Sequence, residues 1–174
     1  MKKFLVVVDM QKDFVDGALG TPEAQAIVDN VCRKILSFDG EIILTFDTHG
    51  ENYLETAEGR KLPVKHCVKG TEGFELDENV KAALKGRDYI TLEKPTFGSV
   101  RLPEIIRQKA QDEKFSVELV GLCTDICVIS NALLLKANFP EAEISVDSRC
   151  GAGVTPESHN AALATMKCCQ IDVY

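Results

Sequence analysis

The sequence predicts an α/β domain of three layers, with helices on both faces of a mostly parallel six-stranded sheet. Short, continuous apolar and β-branched runs, the mark of strands buried on both faces, recur along the chain. Segments with helical apolar spacing lie between them, so strand and helix alternate. The 174 residues are the size of one domain with a sizeable core, and residues 1–174 are expected to fold as a single unit.

Phe4 to Val8 is the first such run, an interior strand ending at Asp9. Its basic head lacks a small-residue cleavage site, so it reads as a strand and not as a secretory signal. Met10 to Gly20, with Phe14 and two glycines, reads as a loop. Thr21-Pro22-Glu23 is a helix start, with a hydroxyl cap, proline at the first position and an acid in the first turn. Ala24, Ile27, Val28, Val31 and Ile35 follow at helical spacing. Glu41 to Phe46 is a second strand, ending in Asp47.

Asp47 to Gly73 has little periodicity, and long loops in compact domains are usually functional or disordered. Asp77-Glu78 opens a helix through Val80, Ala83 and Leu84 that stops at Gly86. Asp88 to Glu93 is the third strand, followed by Lys94-Pro95, where proline biases Lys94 away from helical geometry. Leu102-Pro103-Glu104 begins a helix carrying Ile105, Ile106 and Ala110. Val117 to Leu122 is a central strand. From Cys127 a buried helix is expected, with Val128, Ala132 and Leu135 in its stripe and Leu133 and Leu134 widening it. Glu143 to Asp147 is a fifth strand, Thr155-Pro156-Glu157 repeats the proline helix start, and Cys168 to Tyr174 suits a last edge strand.

Bulk composition narrows the function. A hydrophobic fraction of 45% with 27% charged residues is ordinary for a globular domain, and no apolar run is long enough to span a bilayer. A net charge of −7 without a block of like charge leaves no footprint for nucleic acid. Seven cysteines, an odd number without framework spacing, argue for free thiols in a reducing compartment, so the cytoplasm is expected. Small-molecule chemistry is the remaining class.

Candidate chemistry collects at strand ends. Cys127 follows a strand-to-helix change within about five residues, where unpaired N–H groups at a helix start stabilise a thiolate or an oxyanion. The ordinary fate of cysteine is a small buried hydrophobe, so Cys127 as nucleophile needs partners. Asp9 and Lys94 share the rim of strand carboxyl ends with it, where ligands bind in open α/β sheets. A capping aspartate and a structural ion pair are the plain alternatives for these two. The irregular loop offers Asp47, His49, Glu58 and His66, including two of the three histidines, a set suited to zinc, iron or manganese. His159, early in the last helix, reads as a structural or surface histidine.

Val8-Asp9-Met10-Gln11-Lys12-Asp13-Phe14, Asp47-x-His49, Pro63-x-x-His66-Cys67-x-x-Gly70-Thr71, Glu93-Lys94 and Gly121-x-x-Thr124-Asp125-x-Cys127-Val128 together resemble the isochorismatase-like cysteine hydrolases, and within them the nicotinamidase (pyrazinamidase) subgroup. The resemblance covers nearly the whole chain. It implies the isochorismatase-like hydrolase fold, a triad of Asp9, Lys94 and Cys127, an oxyanion hole from the backbone N–H groups of Cys123 and Cys127, and a cis peptide between Leu122 and Cys123. It implies a divalent metal, zinc first with iron or manganese as alternatives, held by Asp47, His49 and His66, with Glu58 a fourth ligand against its rivals Glu51 and Glu55. Phe14, Phe97 and Leu122 would wall the substrate pocket, although core packing is the commoner fate of phenylalanine.

The implied reaction is hydrolysis of nicotinamide to nicotinate and ammonia through a cysteine thioester, a step of NAD salvage, in a homo-oligomer. One departure stands out. Many nicotinamidases carry a tryptophan a few residues before the later metal histidine; this chain has no tryptophan, and Leu62-Pro63-Val64 stands there. Two rival readings therefore stay open: another amidase of the family, with a carbamoyl or maleamic-type substrate, and a non-catalytic ligand-binding member of the fold.

Overall fold

The computed structural model describes Met1–Tyr174. Six strands, β1 (Lys2–Val8), β2 (Glu41–Asp47), β3 (Tyr89–Lys94), β4 (Phe115–Leu122), β5 (Glu143–Ala152) and β6 (Asp172–Val173), form one sheet in the order β3-β2-β1-β4-β5-β6. Every pairing is parallel, so the expected mostly parallel sheet is wholly so. The chain winds outward from β1 through β2 to β3, then returns to lay β4 on the other side of β1. That reversal opens a crevice at the carboxyl ends of β1 and β4, where such sheets bind ligands.

Alternation along the strands builds two cores. In β1, Leu5 and Val7 enter a layer with α2 (Pro22–Ser37) and α4 (Glu78–Ala83), while Phe4, Val6 and Val8 enter one with α5 (Arg101–Ala110), α6 (Ile129–Asn138) and α7 (Pro156–Cys168). All five of these residues are essentially inaccessible to water, so a continuous apolar run is what a strand covered on both faces requires. Both proline helix starts occur as read, with Thr21 accepting from the Ala24 N–H and Thr155 from the Ser158 N–H. No helix is long and apolar enough to cross a membrane.

Four local readings are corrected. The segment after Asp9 holds a four-residue helix, α1 (Lys12–Val15), which buries Phe14 and Val15 and is too short to show a period. The Asp47–Gly73 loop contains α3 (Ala57–Lys61), capped by Thr56 accepting from the Gly59 N–H, and 3₁₀ turns at Tyr53–Glu55 and Glu72–Phe74. In α6, Leu133 is exposed and Leu134 half-buried, so the buried stripe is only Ala132 and Leu135 with neighbouring Asn131. At the carboxyl end, α7 runs through Cys168, a turn with Gln170 at φ 61° follows, and β6 is two residues long.

Gly121 is where β4 approaches β1 most closely. Its φ is +110°, and a Cβ there would lie 2.2 Å from the Val8 carbonyl oxygen. Both the dihedral and the space demand glycine. Gly121→Ala is expected to destabilise the protein by about 3 kcal/mol or more, as read by chemical denaturation. A loss below about 1 kcal/mol would contradict the close approach.

Candidate active site and metal cluster

The sheet brings four predicted residues to one rim. Asp9 follows β1, at φ 46°; Asp47 ends β2 and faces Lys94, which ends β3, as its register partner; Cys127 lies in the turn after β4. Asp9 and Lys94 are completely buried and Cys127 is 4% exposed. Lys94 Nζ lies 2.6 Å from Asp9 Oδ2, 3.6 Å from Asp47 Oδ1 and 3.5 Å from Cys127 Sγ, and donates to the Thr96 carbonyl at 3.1 Å. Thr45 Oγ1 donates to the other Asp9 oxygen at 2.6 Å. Apart from the ion pair, Asp9 Oδ2 has no hydrogen-bond partner.

Electrostatics distribute the protons in this cluster. Burial works against the Lys94 charge, but Asp9, Cys127 and Asp47 outweigh it and push the ammonium up. Burial pushes the Asp9 carboxyl up against the pull of Lys94. The Cys127 thiol is raised well above its usual value, first by burial and then by Asp9, with Lys94 opposing. Burial and Asp9 therefore work against the thiolate expected at a helix start, and a base to take the proton from sulfur is required.

Cys127 occupies a wide turn of π type, Thr124–Val128, in which the Val128 N–H donates back to Cys123 O at 3.1 Å. Helix α6 starts only at Ile129, two residues later than the sequence reading. The Leu122–Cys123 peptide is cis. The Cys123 N–H meets no acceptor in the protein, and the Cys127 N–H none outside its own turn. The Cys123 N–H is therefore unpaired.

The donor set from the irregular loop also assembles. His49 Nε2 lies 2.9 Å from Asp47 Oδ2 and 3.7 Å from Glu58 Oε1; His66 Nε2 lies 3.5 and 3.7 Å from the same oxygens. All four ligand atoms fall within 4.8 Å of one another. Donors about 2.0–2.2 Å from one tetrahedral ion stand roughly 3.3–3.6 Å apart, so two imidazoles and two carboxylates fit a divalent metal here. His66 Nδ1 donates to the Val64 carbonyl at 2.8 Å, which leaves Nε2 as a lone pair facing the cluster. Burial opposes the Asp47 charge, but the neighbouring His49, His66 and Lys94 hold its carboxyl well below the usual range. Glu58 is pushed up by burial and by Asp47. Its rivals are elsewhere: Glu51 and Glu55 are exposed, and Glu51 pairs with Lys65 at 3.6 Å.

A cavity of about 230 Å³ is lined by residues of both clusters, Cys123 and Cys127 as well as Asp47, Glu58 and His66. Phe14, Phe97 and Leu122 line it, and Leu19, Leu62, Ile126 and Val154 complete an aliphatic wall. Leu62 stands where a tryptophan was sought. Phe14 packs its ring 5.5 Å from that of His66.

A family model described as the isochorismatase domain matches residues 3–173. The chain belongs to the isochorismatase family. Nicotinamidase/pyrazinamidase PncA from Bacillus subtilis superposes with a TM-score of 0.85 at 26% identity, over 99% of each chain. A pyrazinamidase from Pyrococcus horikoshii, solved in complex with zinc, gives 0.84 at 28% identity, over 100% of this chain and 99% of its own. N-carbamoylsarcosine amidase from Thermoplasma acidophilum gives 0.77 at 26% identity, over 99% and 95%.

Four supporting residues of this isochorismatase-family site escaped the sequence reading. Gln11, fully buried, donates to the Asp47 and Phe74 carbonyls at 2.9 Å and accepts from the Asp47 N–H at 2.8 Å, clamping the Asp47 backbone. Asp13 accepts from the Cys67 N–H at 2.8 Å, just past His66. Tyr53, fully buried, sets its ring 4.7 Å from His49 and 4.9 Å from His66 and donates to the Leu62 carbonyl. Asn131 accepts from the Ser99 N–H and donates to the Phe97 and Cys127 carbonyls, tying the cavity's outer wall to the nucleophile turn. Motif residues Gln11 and Asp13 were visible, but their partners lie tens of residues away in sequence.

Proposed function

We propose that this protein is an amidohydrolase that converts nicotinamide to nicotinate and ammonia through a thioester on Cys127. The observation that carries the reading is that one small, mostly apolar cavity is lined both by Cys127, which contacts the buried Asp9–Lys94 pair through Lys94, and by Asp47, Glu58 and His66 of the four-donor cluster. The PncA-type neighbours support it. A one-ring carboxamide fills such a space with its carbonyl carbon toward Cys127 and its ring between Phe14 and the aliphatic wall.

Asp9 Oδ2, short of partners, accepts the Cys127 proton as sulfur attacks the carboxamide carbon. The carbonyl π pair moves to oxygen, which takes hydrogen bonds from the Cys123 and Cys127 N–H groups. Lys94 stays charged and holds Asp9 in line. Collapse of the adduct breaks the C–N bond, and Asp9 returns its proton to the departing ammonia. Water then loses a proton to Asp9 and attacks the thioester; the C–S bond breaks, nicotinate leaves, and the proton goes back to sulfur. Asp47, His49, Glu58 and His66 would hold a divalent ion, zinc before iron or manganese, which when bound supplies a Lewis-acid site for the pyridine nitrogen.

The test is ammonia release from nicotinamide by purified protein, before and after chelation and with metal restored. Turnover that falls on chelation and recovers with zinc is expected. A metal-loaded protein that leaves nicotinamide intact would overturn the substrate assignment. The ring stacking of Tyr53 adds a separate expectation for the metal. Tyr53→Leu lowers zinc affinity by about 10- to 100-fold, while Tyr53→Phe keeps it within about threefold, in competition with a chromogenic chelator. Equal affinity in the leucine variant would contradict the role of the ring.

Leu62 in place of an aromatic wall favours one second reading, a carbamoyl or maleamic-type amide as substrate. Release of ammonia from these compounds, faster than from nicotinamide and indifferent to chelation, is the outcome that would support it.

A further inference from the structure

His159, the third histidine, has no part in the chemistry described above. It lies in the first turns of α7, with Nδ1 2.9 Å from Thr124 Oγ1. Thr124 is completely buried and opens the turn that carries Cys127. Its hydroxyl has no other hydrogen-bond partner, and a buried hydroxyl proton left without an acceptor is costly. The O–H therefore donates to Nδ1, which fixes the neutral tautomer with its proton on Nε2. Burial holds His159 below the ordinary imidazole range, against the pull of Asp125, so this accepting form is the one present at neutral pH.

The surroundings show that the contact is built and not incidental. The Asp125 carboxylate accepts from the Val154 N–H at 3.2 Å, so two successive residues of the turn are tied to the crossing from β5 to α7. A Cβ on Gly153 would lie 2.8 Å from the His159 backbone nitrogen, and one on Gly151 would lie 2.9 Å from Thr124 Oγ1. The end of β5 thus packs closely on the Thr124 hydroxyl and on the start of α7, with no space for a side chain at either glycine.

We infer that His159 is a positioning residue: by accepting from Thr124 it holds the Thr124–Val128 turn where the Cys123 N–H and Cys127 Sγ converge on one substrate carbonyl. The inference rests on the nucleophile reading proposed above. Thr124 directly follows Cys123, which lines the cavity and whose N–H has no acceptor in the protein, so rotation of the Thr124 backbone displaces that donor. His159 is not among the residues that line the cavity. Loss of the contact removes stabilisation realised in the transition state and leaves ground-state binding in place.

His159→Phe keeps the ring and loses the acceptor, while His159→Asn returns an acceptor oxygen near the site of Nδ1. Thermal melting establishes that each variant is folded. The expected result for His159→Phe is a kcat lower by about 10- to 100-fold with KM within about threefold. His159→Asn recovers to within about threefold of the parent. A folded phenylalanine variant with parental kcat, a change confined to KM, or an asparagine variant as impaired as phenylalanine would overturn the inference. A second measurement stands apart from the amide assay: the rate at which iodoacetamide alkylates Cys127, read on its peptide by mass spectrometry. It shifts by roughly fivefold or more in His159→Phe and returns in His159→Asn. If the parent hydrolyses no amide, the hydrolase reading fails and this rate alone decides the positioning role, an unchanged rate in His159→Phe overturning it.

Discussion

Cys127→Ala is expected to lower kcat for amide hydrolysis by roughly 10⁴-fold or more, with ligand binding retained. The side chain is 4% exposed and faces the cavity, so trimming one sulfur leaves the apolar walls and the metal donors untouched. No other cysteine has the same partners. Cys123 lines the cavity too, but the Lys94 ammonium hydrogen-bonds to Cys127 and not to Cys123. Calorimetric titration of the alanine variant with nicotinate should give an affinity near that of the parent. Turnover within about tenfold of the parent would remove the nucleophile assignment and leave a binding protein or a purely metal-assisted hydrolase.

Lys94→Met is expected to be the most damaging change for stability, by about 3–5 kcal/mol, because it strips the counter-charge from carboxylates that stay buried. Lys94 is wholly inaccessible, 2.6 Å from Asp9 and 3.6 Å from Asp47. For a chain of this size the loss corresponds to a fall in melting temperature of roughly 6–20 °C. The direction of the accompanying pH effect follows from the same contacts. Asp9 already lies above its usual value because of burial, with Lys94 the main opposing influence. Without the ammonium it rises further, and a protonated Asp9 cannot accept from sulfur. Residual activity should therefore have an acid limb displaced to higher pH. The Asp9→Asn/Lys94→Met double variant should regain much of the stability and none of the activity, since neutralising both partners removes the unpaired charge along with the base. A Lys94→Met protein as stable as the parent would contradict the buried pair.

The strands and long helices were legible because each is an apolar pattern local in sequence, and Thr21 and Thr155 mark two helix starts through side chains that act within one turn. The strand-end placement of Asp9, Asp47, Lys94 and Cys127 followed from that pattern. Which glutamate joins the two histidines did not, because Glu51, Glu55 and Glu58 differ only in how Thr56 caps the short α3 and turns one of them inward. Nor was the upward push on the Cys127 thiol readable: peptide dipoles are a local property, whereas burial and the approach of Asp9 come from the tertiary fold. Gln11 and Asn131 were missed for the same reason, as Gln11 reaches Asp47 and Phe74 and Asn131 reaches Phe97 and Ser99; Tyr53 lies in an irregular loop without a period to give its direction. The extension of β5 to Ala152 passes through Ser148-Arg149-Cys150-Gly151, a polar stretch that breaks the apolar run at an irregularity in the β4–β5 register.

The most direct test of the central claim is to quench the protein in acid during turnover of nicotinamide and weigh its peptides. Thioester catalysis on Cys127 predicts a mass increase equal to the substrate's acyl group on the peptide containing Cys127, absent from Cys127→Ala and lost when substrate is exhausted. Steady ammonia release with that peptide unmodified, and undiminished in the alanine variant, would contradict it.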